Sequence, residues 1–253
     1  MKNSTFSLSA LVISASAILI FSSCSESQED LVVTPHQTKV DIRSNQNSQV
    51  FPITSHPLGK SYAEWSSEWW IHVLGSDCTT NPIPDLTGAN TAINQSGPVY
   101  FLFGTPGGNA TRTATIPAGK PVLFPLVNIY WQEDCPSPIG NGPEPSQTLQ
   151  EFLTASCAFF TDQAGDLSAS LDGVEFSNLS NYRATSDLFT YTGNPDLGSC
   201  FDGCINGLPQ QAVTDGYWLM LKPLSPGSHT LHFTGGYPDL DFLVDVTYEL
   251  TVE

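Results

Sequence analysis

Short apolar segments separated by glycine and proline constrain the fold of this 253-residue chain more than any other feature of its sequence. The segments are shorter than most helices and are bounded by turn residues, a pattern that is typical of β-strands. Asp172-Gly173 predicts a tight hairpin turn. Many short strands with such turns predict a β-sandwich or a jelly roll. The predicted strands are 99–103, 122–131, 167–171, 174–176, 217–221, 229–233 and 242–252.

One segment has helical periodicity instead. Ser61 is a suitable N-cap for it, and Glu64 three residues later completes a capping box. Gly75 is a suitable residue to end the helix. The sequence therefore predicts an aromatic-rich helix over 62–73. Its apolar stripe recurs at spacings of three and four residues, at Tyr62, Trp65, Trp69 and Val73.

A second helix is predicted over about 147–162, with Ser146 as its N-cap. Together these elements predict a mainly β fold of the α+β class in a single domain, with the two helices covering an edge or an end of the sandwich. The inward face of the second helix is predicted to contain Leu149, Phe152, Leu153, Cys157 and Phe160.

The charge balance excludes several classes of partner. The chain has 25 acidic and 8 basic residues and a formal net charge of −17. Such a chain repels phosphate backbones, so direct nucleic-acid binding is excluded as its function, and adhesion to anionic lipid through a basic patch is disfavoured. Charged residues are only 13% of the total, against roughly 25% in an average globular protein. Uncharged polar residues must therefore provide much of the surface, which is typical of a secreted β-rich domain.

The first 24 residues predict export. Lys2 precedes an apolar stretch, Leu8–Phe21, that has the dimensions of a signal peptide. The segment Phe21-Ser22-Ser23-Cys24 resembles the lipobox of bacterial lipoproteins, in which a peptidase cuts before the cysteine and the sulfur is acylated. Cleavage by the ordinary secretory peptidase is the alternative, since Phe21 replaces the usual leucine.

These features give a predicted organisation and location. We predict a lipoprotein signal peptide over 1–23, a flexible polar tether over 24–56 and a folded domain over 57–253. Acylated Cys24 would attach the protein to the membrane without a transmembrane helix. The predicted location is extracytoplasmic, in the bacterial cell envelope, at the outer membrane or the cell surface.

The five remaining cysteines are expected to pair largely with one another in an oxidising envelope. Cys200 and Cys204 flank a short turn and predict a local disulfide. Cys78 and Cys135 lie in polar loops and form the second predicted pair. Cys157 falls within the second helical pattern and is predicted to be a buried thiol.

Four segments carry a resemblance to a family of secreted bacterial proteins of uncharacterised function. They are YAEWSSEWW, QSGPVYFLFG, IPAGKPVLFPLVN and DGYWLMLKPLSPGSHTLHF. The resemblance spans about 60–250 and implies a single domain. It implies no activity and no site residues.

The first helix contains the main candidate site. Glu64, Glu68 and His72 form an i, i+4, i+8 row beside the tryptophan stripe. Desolvation beside this stripe can suit a glutamate to general acid/base chemistry. The structural alternative is that Glu64 caps the helix, Glu68 pairs with His72, and the tryptophans are core residues.

A second candidate is the histidine pair near the C-terminus. His229 is predicted to share the face of Leu231 and Phe233, whereas His232 points to the opposite face of the strand. A regular strand therefore prevents both histidines from binding one ion. One of the two could still meet Glu68 or His72 across the predicted fold, and the alternative is a histidine that merely satisfies a hydrogen bond.

Acidic loops supply the third candidate. Asp196, Asp202 and Asn206 offer oxygen ligands on a glycine-rich loop, which predicts a possible Ca²⁺ site. A solvated acidic surface is the alternative, since the spacing is not that of an EF-hand. Arg112 is one of few arginines, and its scarcity makes it a candidate for binding the carboxylate of an anionic sugar. The alternative is a surface ion pair with one of the many acidic residues.

These observations predict a lipid-anchored envelope protein that binds an extracellular glycan or another small polar ligand. The alternative is a carbohydrate-active hydrolase or lyase that uses Glu68 with His72 or His229 as acid and base. The candidate ligand-binding residues are Trp65, Trp69, Trp70, Glu64, His232 and Arg112.

Overall fold

The computed structural model describes residues 47–253, which form two five-stranded sheets and two helices. Sheet 1 is built around a long antiparallel pair of strands with a parallel strand on one side. Two short strands lie along its other side. The strands of sheet 1 are β1 (Tyr100–Phe101), β3 (Val122–Gln132) and β8 (Pro209–Leu221), with β6 (Arg183–Thr185) and β7 (Phe189–Thr192) both paired with β8.

Sheet 2 is antiparallel except at one edge, where β2 runs parallel to β10. A tight turn at Asp172-Gly173 joins its last two strands, as the sequence predicts. In spatial order its strands are β2 (Gly108–Ile116), β10 (Phe242–Val252), β9 (Gly227–Tyr237), β4 (Gly165–Leu171) and β5 (Val174–Glu175). The prediction of a mainly β sandwich with two helices is confirmed.

Both helices begin with a complete capping box. Helix α1 spans Tyr62–Leu74, with Ser61 as the predicted N-cap. Helix α2 spans Leu149–Thr161, and its N-cap is Thr148 rather than the predicted Ser146. Thr148 caps α2 because Glu151, three residues on, bonds back to its backbone N–H and completes the capping box.

Alternate side chains of β8 pack in two different layers of the core. Trp218 and Met220 pack against α1 on one face of the strand. Leu219 and Leu221 point to the opposite face and pack between the two sheets. Helix α1 therefore covers the outer face of sheet 1, not the predicted edge or end of the sandwich.

Helix α2 lies at one end of the sandwich, as predicted. Val213 shares the inward face of β8 and packs with Phe152, Leu153 and Cys157 of the helix. The ring of Phe160 lies 6.2 Å from that of Tyr237, the last residue of β9. Helix α2 therefore fills the space beside the end of β9.

The two sheets approach each other most closely near a bulge in β3. The pairing of β3 with β8 shifts register between Pro125 and Val127. Pro125 cannot donate to the ladder, which favours an irregularity at this point. A Cβ atom on Gly235 of β9 would lie only 2.7 Å from the carbonyl oxygen of Leu126. Glycine at 235 is therefore required for the close approach.

The folded domain begins before the predicted boundary at residue 57. Val50 is 2% exposed and bridges to Leu221, and the N–H of Phe51 donates to the carbonyl of Met220 at 2.9 Å. Because these backbone bonds extend sheet 1, residues from Val50 onward belong to the domain rather than to the tether. The predicted signal peptide, Cys24 and most of the predicted tether lie outside the described residues. No helix within residues 47–253 is long and apolar enough to cross a membrane.

The disulfide pairing differs from the predicted one. Cys78 is bonded to Cys200, and Cys135 is bonded to Cys204. The predicted Cys200–Cys204 disulfide does not form because the two ends of the 200–204 turn lie beside different segments, one containing Cys78 and the other Cys135. The carboxylate of Asp196 accepts a hydrogen bond from the N–H of Cys78 at 3.1 Å, which holds the loop after α1 beside Cys200. The predicted burial of a free thiol at position 157 is confirmed.

Candidate functional site

The tryptophans of α1 fasten the helix to the domain. Trp65 and Trp69 are 4% and 1% exposed, and their indole N–H groups donate to the carbonyls of Pro57 and Leu102, both at 2.9 Å. Trp70 is 5% exposed, and its ring lies against Tyr130 at 4.3 Å between centroids. These rings are thus core residues, and the predicted use of them as open platforms for a sugar does not match their burial.

Glu64 caps α1, as the structural alternative predicts. Its carboxylate accepts hydrogen bonds from the N–H of Ser61 at 2.7 Å and from the Ser61 hydroxyl at 2.9 Å. These bonds to the ionised form lower the pKa of Glu64. Glu64 therefore remains a carboxylate and does not act as a proton donor near neutral pH.

Glu68 forms an ion pair with a residue outside the helix. Its Oε1 atom lies 2.6 Å from Nζ of Lys60, and neither side chain is fully covered. Lys60 also lies 5.1 Å from the ring of Trp65. Glu68 is thus held by Lys60 rather than by His72, its predicted partner.

His72 is a half-buried neutral imidazole. Its ring stacks on Phe103 with centroids 5.4 Å apart and meets the edge of Phe101 at 5.6 Å. Desolvation lowers the pKa of His72, which keeps the ring neutral near pH 7. Within residues 47–253 neither ring nitrogen has a hydrogen-bond partner, so His72 can both donate and accept a hydrogen bond.

These side chains lie along a groove that we name the α1 groove. It consists of two adjoining clefts of about 330 Å³ and 360 Å³. Lys60, Glu68 and Ile71 line both clefts, and the ion pair therefore lies where they meet. The first cleft continues past His72 to the 94–98 loop, and the second continues to residues 187–189.

The 94–98 loop is held in place by the side chain of Gln95. Its amide donates to the carbonyls of Thr91 and Phe101, each at 2.8 Å, and accepts from the N–H of Phe101 at 3.0 Å. The ammonium group of Lys120 donates to the carbonyl of Gly97 at 2.8 Å. This wall of the α1 groove is therefore preorganised.

The two C-terminal histidines, His229 and His232, lie outside the α1 groove. His229 lies 2.8 Å from a carboxylate oxygen of Asp172, and His232 lies 2.9 Å from one of Asp245. Neither histidine lines the α1 groove. The predicted alternation is confirmed, since Leu231 is fully buried and His232 points to the opposite face of β9. The α1 groove thus combines Glu68 with His72 and not with His229.

Arg112 lies in the interior. It is 0% exposed, and its guanidinium donates to the carbonyls of Phe103 and Ile83 at 2.7 and 2.9 Å and to the Tyr248 hydroxyl at 3.0 Å. Its side chain joins β2 to three other segments of the domain, those of Ile83, Phe103 and Tyr248. The structure therefore gives Arg112 a structural role and no access to a carboxylate ligand.

The three predicted calcium ligands bond to different groups. The carboxylate of Asp196 accepts from Cys78, and the amide oxygen of Asn206 accepts from the N–H of Leu208 at 2.8 Å. Among residues 47–253, the group of possible metal ligands that does converge consists of Asp202, Cys135 and Cys204, with ligand atoms within 4.8 Å. Two of these are sulfurs bonded to each other, so this group does not provide three available ligands.

Asp202 instead forms part of a cleft that we name the Asp202 cleft. Its volume is about 440 Å³, and Trp70, Tyr130, Gln132 and Phe201 line it together with Asp202. The Tyr130 hydroxyl donates to Oδ2 of Asp202 at 2.5 Å, and the Gln132 amide donates to the same oxygen at 3.0 Å. Sequence analysis did not find this cleft, because its lining residues come from α1, β3 and the 200–204 turn.

Comparisons with protein-family models, with curated proteins and with solved structures gave no match to this chain. The assignment of function therefore depends on the chemistry of the α1 groove and of the Asp202 cleft.

Proposed function

We propose that this protein is an extracytoplasmic binding domain whose α1 groove recognises a polyhydroxylated ligand, namely an extracellular glycan. The observation that carries the proposal is the Lys60–Glu68 ion pair at the junction of two adjoining clefts. A groove of this form accommodates an extended chain, with the charged pair in contact with its middle.

The polar groups of the groove match the hydroxyls of a sugar. Glu68 accepts hydrogen bonds and Lys60 donates them, so one sugar hydroxyl can bond to both groups. Neutral His72 supplies a donor and an acceptor at one end of the groove. The apolar faces of a sugar ring find complementary surface on Ile71 and Leu58, which are 39% and 56% exposed.

The compartment agrees with this proposal. The two disulfides indicate an oxidising, extracytoplasmic environment. We further propose that acylation of Cys24 attaches the domain to the envelope membrane, since a net charge of −17 disfavours adhesion to anionic lipid. Metabolic labelling with an alkyne fatty acid should label the wild-type chain and not a Cys24→Ser variant, and equal labelling of the two would contradict lipidation.

Glycan binding can be tested with a panel of neutral and uronic-acid oligosaccharides, followed by calorimetric titration of those that bind. Glu68→Gln removes the charge and the ion pair, and should weaken binding by about tenfold or more. Glu144→Gln, at an exposed position in the loop before α2, is the matched control and should bind as the wild type does. Absence of binding across the panel, or equal binding by Glu68→Gln, would contradict the proposal.

A second candidate function is cleavage of the bound glycan by a hydrolase or lyase reaction. The observation that favours it is that Glu68 and His72 line the same cleft, with His72 neutral and able to accept a proton. Incubation with each bound oligosaccharide should then release shortened products, and His72→Phe should abolish their release while leaving binding measurable. Unchanged oligosaccharide after prolonged incubation would leave binding as the function.

A further inference from the structure

We propose that the Asp202 cleft is a second ligand site, and that it binds a small organic cation carrying an ammonium group. In the described part of the chain, the Asp202 cleft shares no lining residue with the α1 groove. The proposal therefore does not depend on glycan binding.

The cleft contains a fixed negative charge. Oδ2 of Asp202 accepts hydrogen bonds from Tyr130 and Gln132, and Oδ1 accepts one from the N–H of Cys204 at 2.9 Å. These bonds use three of the roughly four acceptor positions of the carboxylate. Burial and the charge of Asp202 both raise the pKa of Tyr130, so its hydroxyl remains a donor. One carboxylate position is left for a ligand.

The other walls of the cleft are largely aromatic. The rings of Trp70 and Tyr130 are in contact, and Phe201 and Trp131 are half-buried beside them. Trp131 is itself held by a stacked contact with Phe160, with centroids 5.5 Å apart. Trp70 and Tyr130 form the buried base of the cleft, and an ammonium group near the more accessible ring of Phe201 is attracted by its quadrupole.

The electrostatics of the cleft favour a cation over a neutral ligand. Among residues 47–253, Asp202 is the one charged side chain that lines the cleft, and no lysine or arginine lines it. Burial raises the pKa of Tyr191 nearby, and the negative charges of Asp202 and Glu133 raise it further, which indicates a negative local potential. Gln132 is 2% exposed, and its Oε1 atom has no partner among the described residues. The carboxylate therefore attracts a positive charge, and the free Oε1 atom of Gln132 can accept a hydrogen bond from a hydroxyl of the ligand.

Covalent bonds hold the cleft in shape. The Cys135–Cys204 disulfide joins the end of β3 to the 200–204 turn, and Cys78–Cys200 fixes the other end of that turn. Asp202 lies between the two bridged positions. The carboxylate is therefore positioned before a ligand arrives, which lowers the entropic cost of binding.

The direct test compares choline with 3,3-dimethylbutan-1-ol, a neutral molecule of nearly the same shape. Both are titrated into the full mature protein, and binding is followed by tryptophan fluorescence and by calorimetry. Choline should bind about tenfold or more tightly than the neutral alcohol, because only choline engages the carboxylate and the ring faces as a charge. Equal binding of the two, or no binding of choline, would overturn the proposal.

Two variants and one control locate the site. Asp202→Asn removes the charge but keeps the acceptor for Tyr130, and should weaken choline binding about tenfold or more. Phe201→Ala removes an aromatic wall without altering the charge, and should also weaken it. Asp134→Asn removes an exposed charge near the cleft at a residue with φ of 63°, which asparagine tolerates. If Asp134→Asn weakens binding as much as Asp202→Asn does, the attraction is non-specific and the site is refuted.

Discussion

Nζ of Lys60 lies 2.6 Å from Oε1 of Glu68, and this pair joins the segment before α1 to the middle of the helix. The two side chains are 39% and 45% exposed, so solvent screens their attraction. Their main consequence is therefore geometric. They fix a donor beside an acceptor at the junction of the two clefts of the α1 groove.

Removing the pair should accordingly leave the fold intact. We expect Lys60→Met and Glu68→Gln each to change the free energy of unfolding by less than about 1 kcal/mol, as for exposed ion pairs in general. Urea denaturation followed by tryptophan fluorescence measures this. A larger loss in either variant would mean that the pair also stabilises the fold.

Arg112→Met should destabilise the domain strongly. The substitution leaves the carbonyl of Ile83 without the guanidinium donor that it has in the folded state. An unsatisfied buried acceptor costs about 1–3 kcal/mol, and the lost bond to Phe103 adds to this. Urea denaturation should therefore show a loss of at least about 2 kcal/mol. Thr111→Ala, on the exposed face of the same strand, is the control and should be close to neutral.

His229 should make the domain less stable at alkaline pH. Desolvation acts to lower its pKa, but the bonds to Asp172 and to the Ser225 carbonyl outweigh this and raise the pKa above its ordinary value near 6.5. The stabilisation is therefore complete below about pH 6.5 and is lost as the pH rises through the raised value. Asp172→Asn should flatten this dependence in thermal melts, and an unchanged slope would contradict the assignment.

His72 should make the domain less stable at acidic pH, which is the opposite of the effect of His229. Because burial lowers its pKa, the unfolded chain binds the proton more readily than the folded domain does. Stability is therefore unaffected by His72 above about pH 6.5 and decreases as the pH falls below that value. His72→Phe keeps the ring contact with Phe103 but cannot titrate, so it should remove this acid-dependent loss. The same acid sensitivity in the variant would assign it to another group.

The elements that sequence analysis predicted are those with a regular apolar pattern. Helix α1 was predicted with both ends because its stripe, cap and terminal glycine agree. Strand β2 was missed because an inward-facing position of its alternation is occupied by Arg112, which a sequence pattern counts as polar. The hydrogen bonds that allow an arginine there come from other segments of the fold, at residues 9, 29 and 136 positions away in the sequence.

Sequence analysis predicted some of the side chains of the α1 groove, and a regular pattern was again the reason. The i, i+4 spacing correctly placed Glu68 and His72 on one side of α1, since helix geometry alone determines it. The burial of Trp65 depends on the carbonyl of Pro57, and the partner of Glu68 is Lys60. Both contacts depend on how the preceding segment packs on the helix, which no local pattern specifies.

The long-range disulfide pairing gives a direct check on the fold. A chymotryptic digest of the unreduced protein cuts after Phe201 and separates Cys200 from Cys204, and mass spectrometry should then find Cys78 linked to Cys200. Replacing that pair with serines opens a loop of 122 residues and should lower the free energy of unfolding by about 3–5 kcal/mol. Cys157→Ala leaves both bridges intact and should cost less, since it removes one small buried side chain. A link between Cys200 and Cys204 in the digest would contradict the arrangement of the Asp202 cleft, because the 200–204 turn would no longer be fastened to β3.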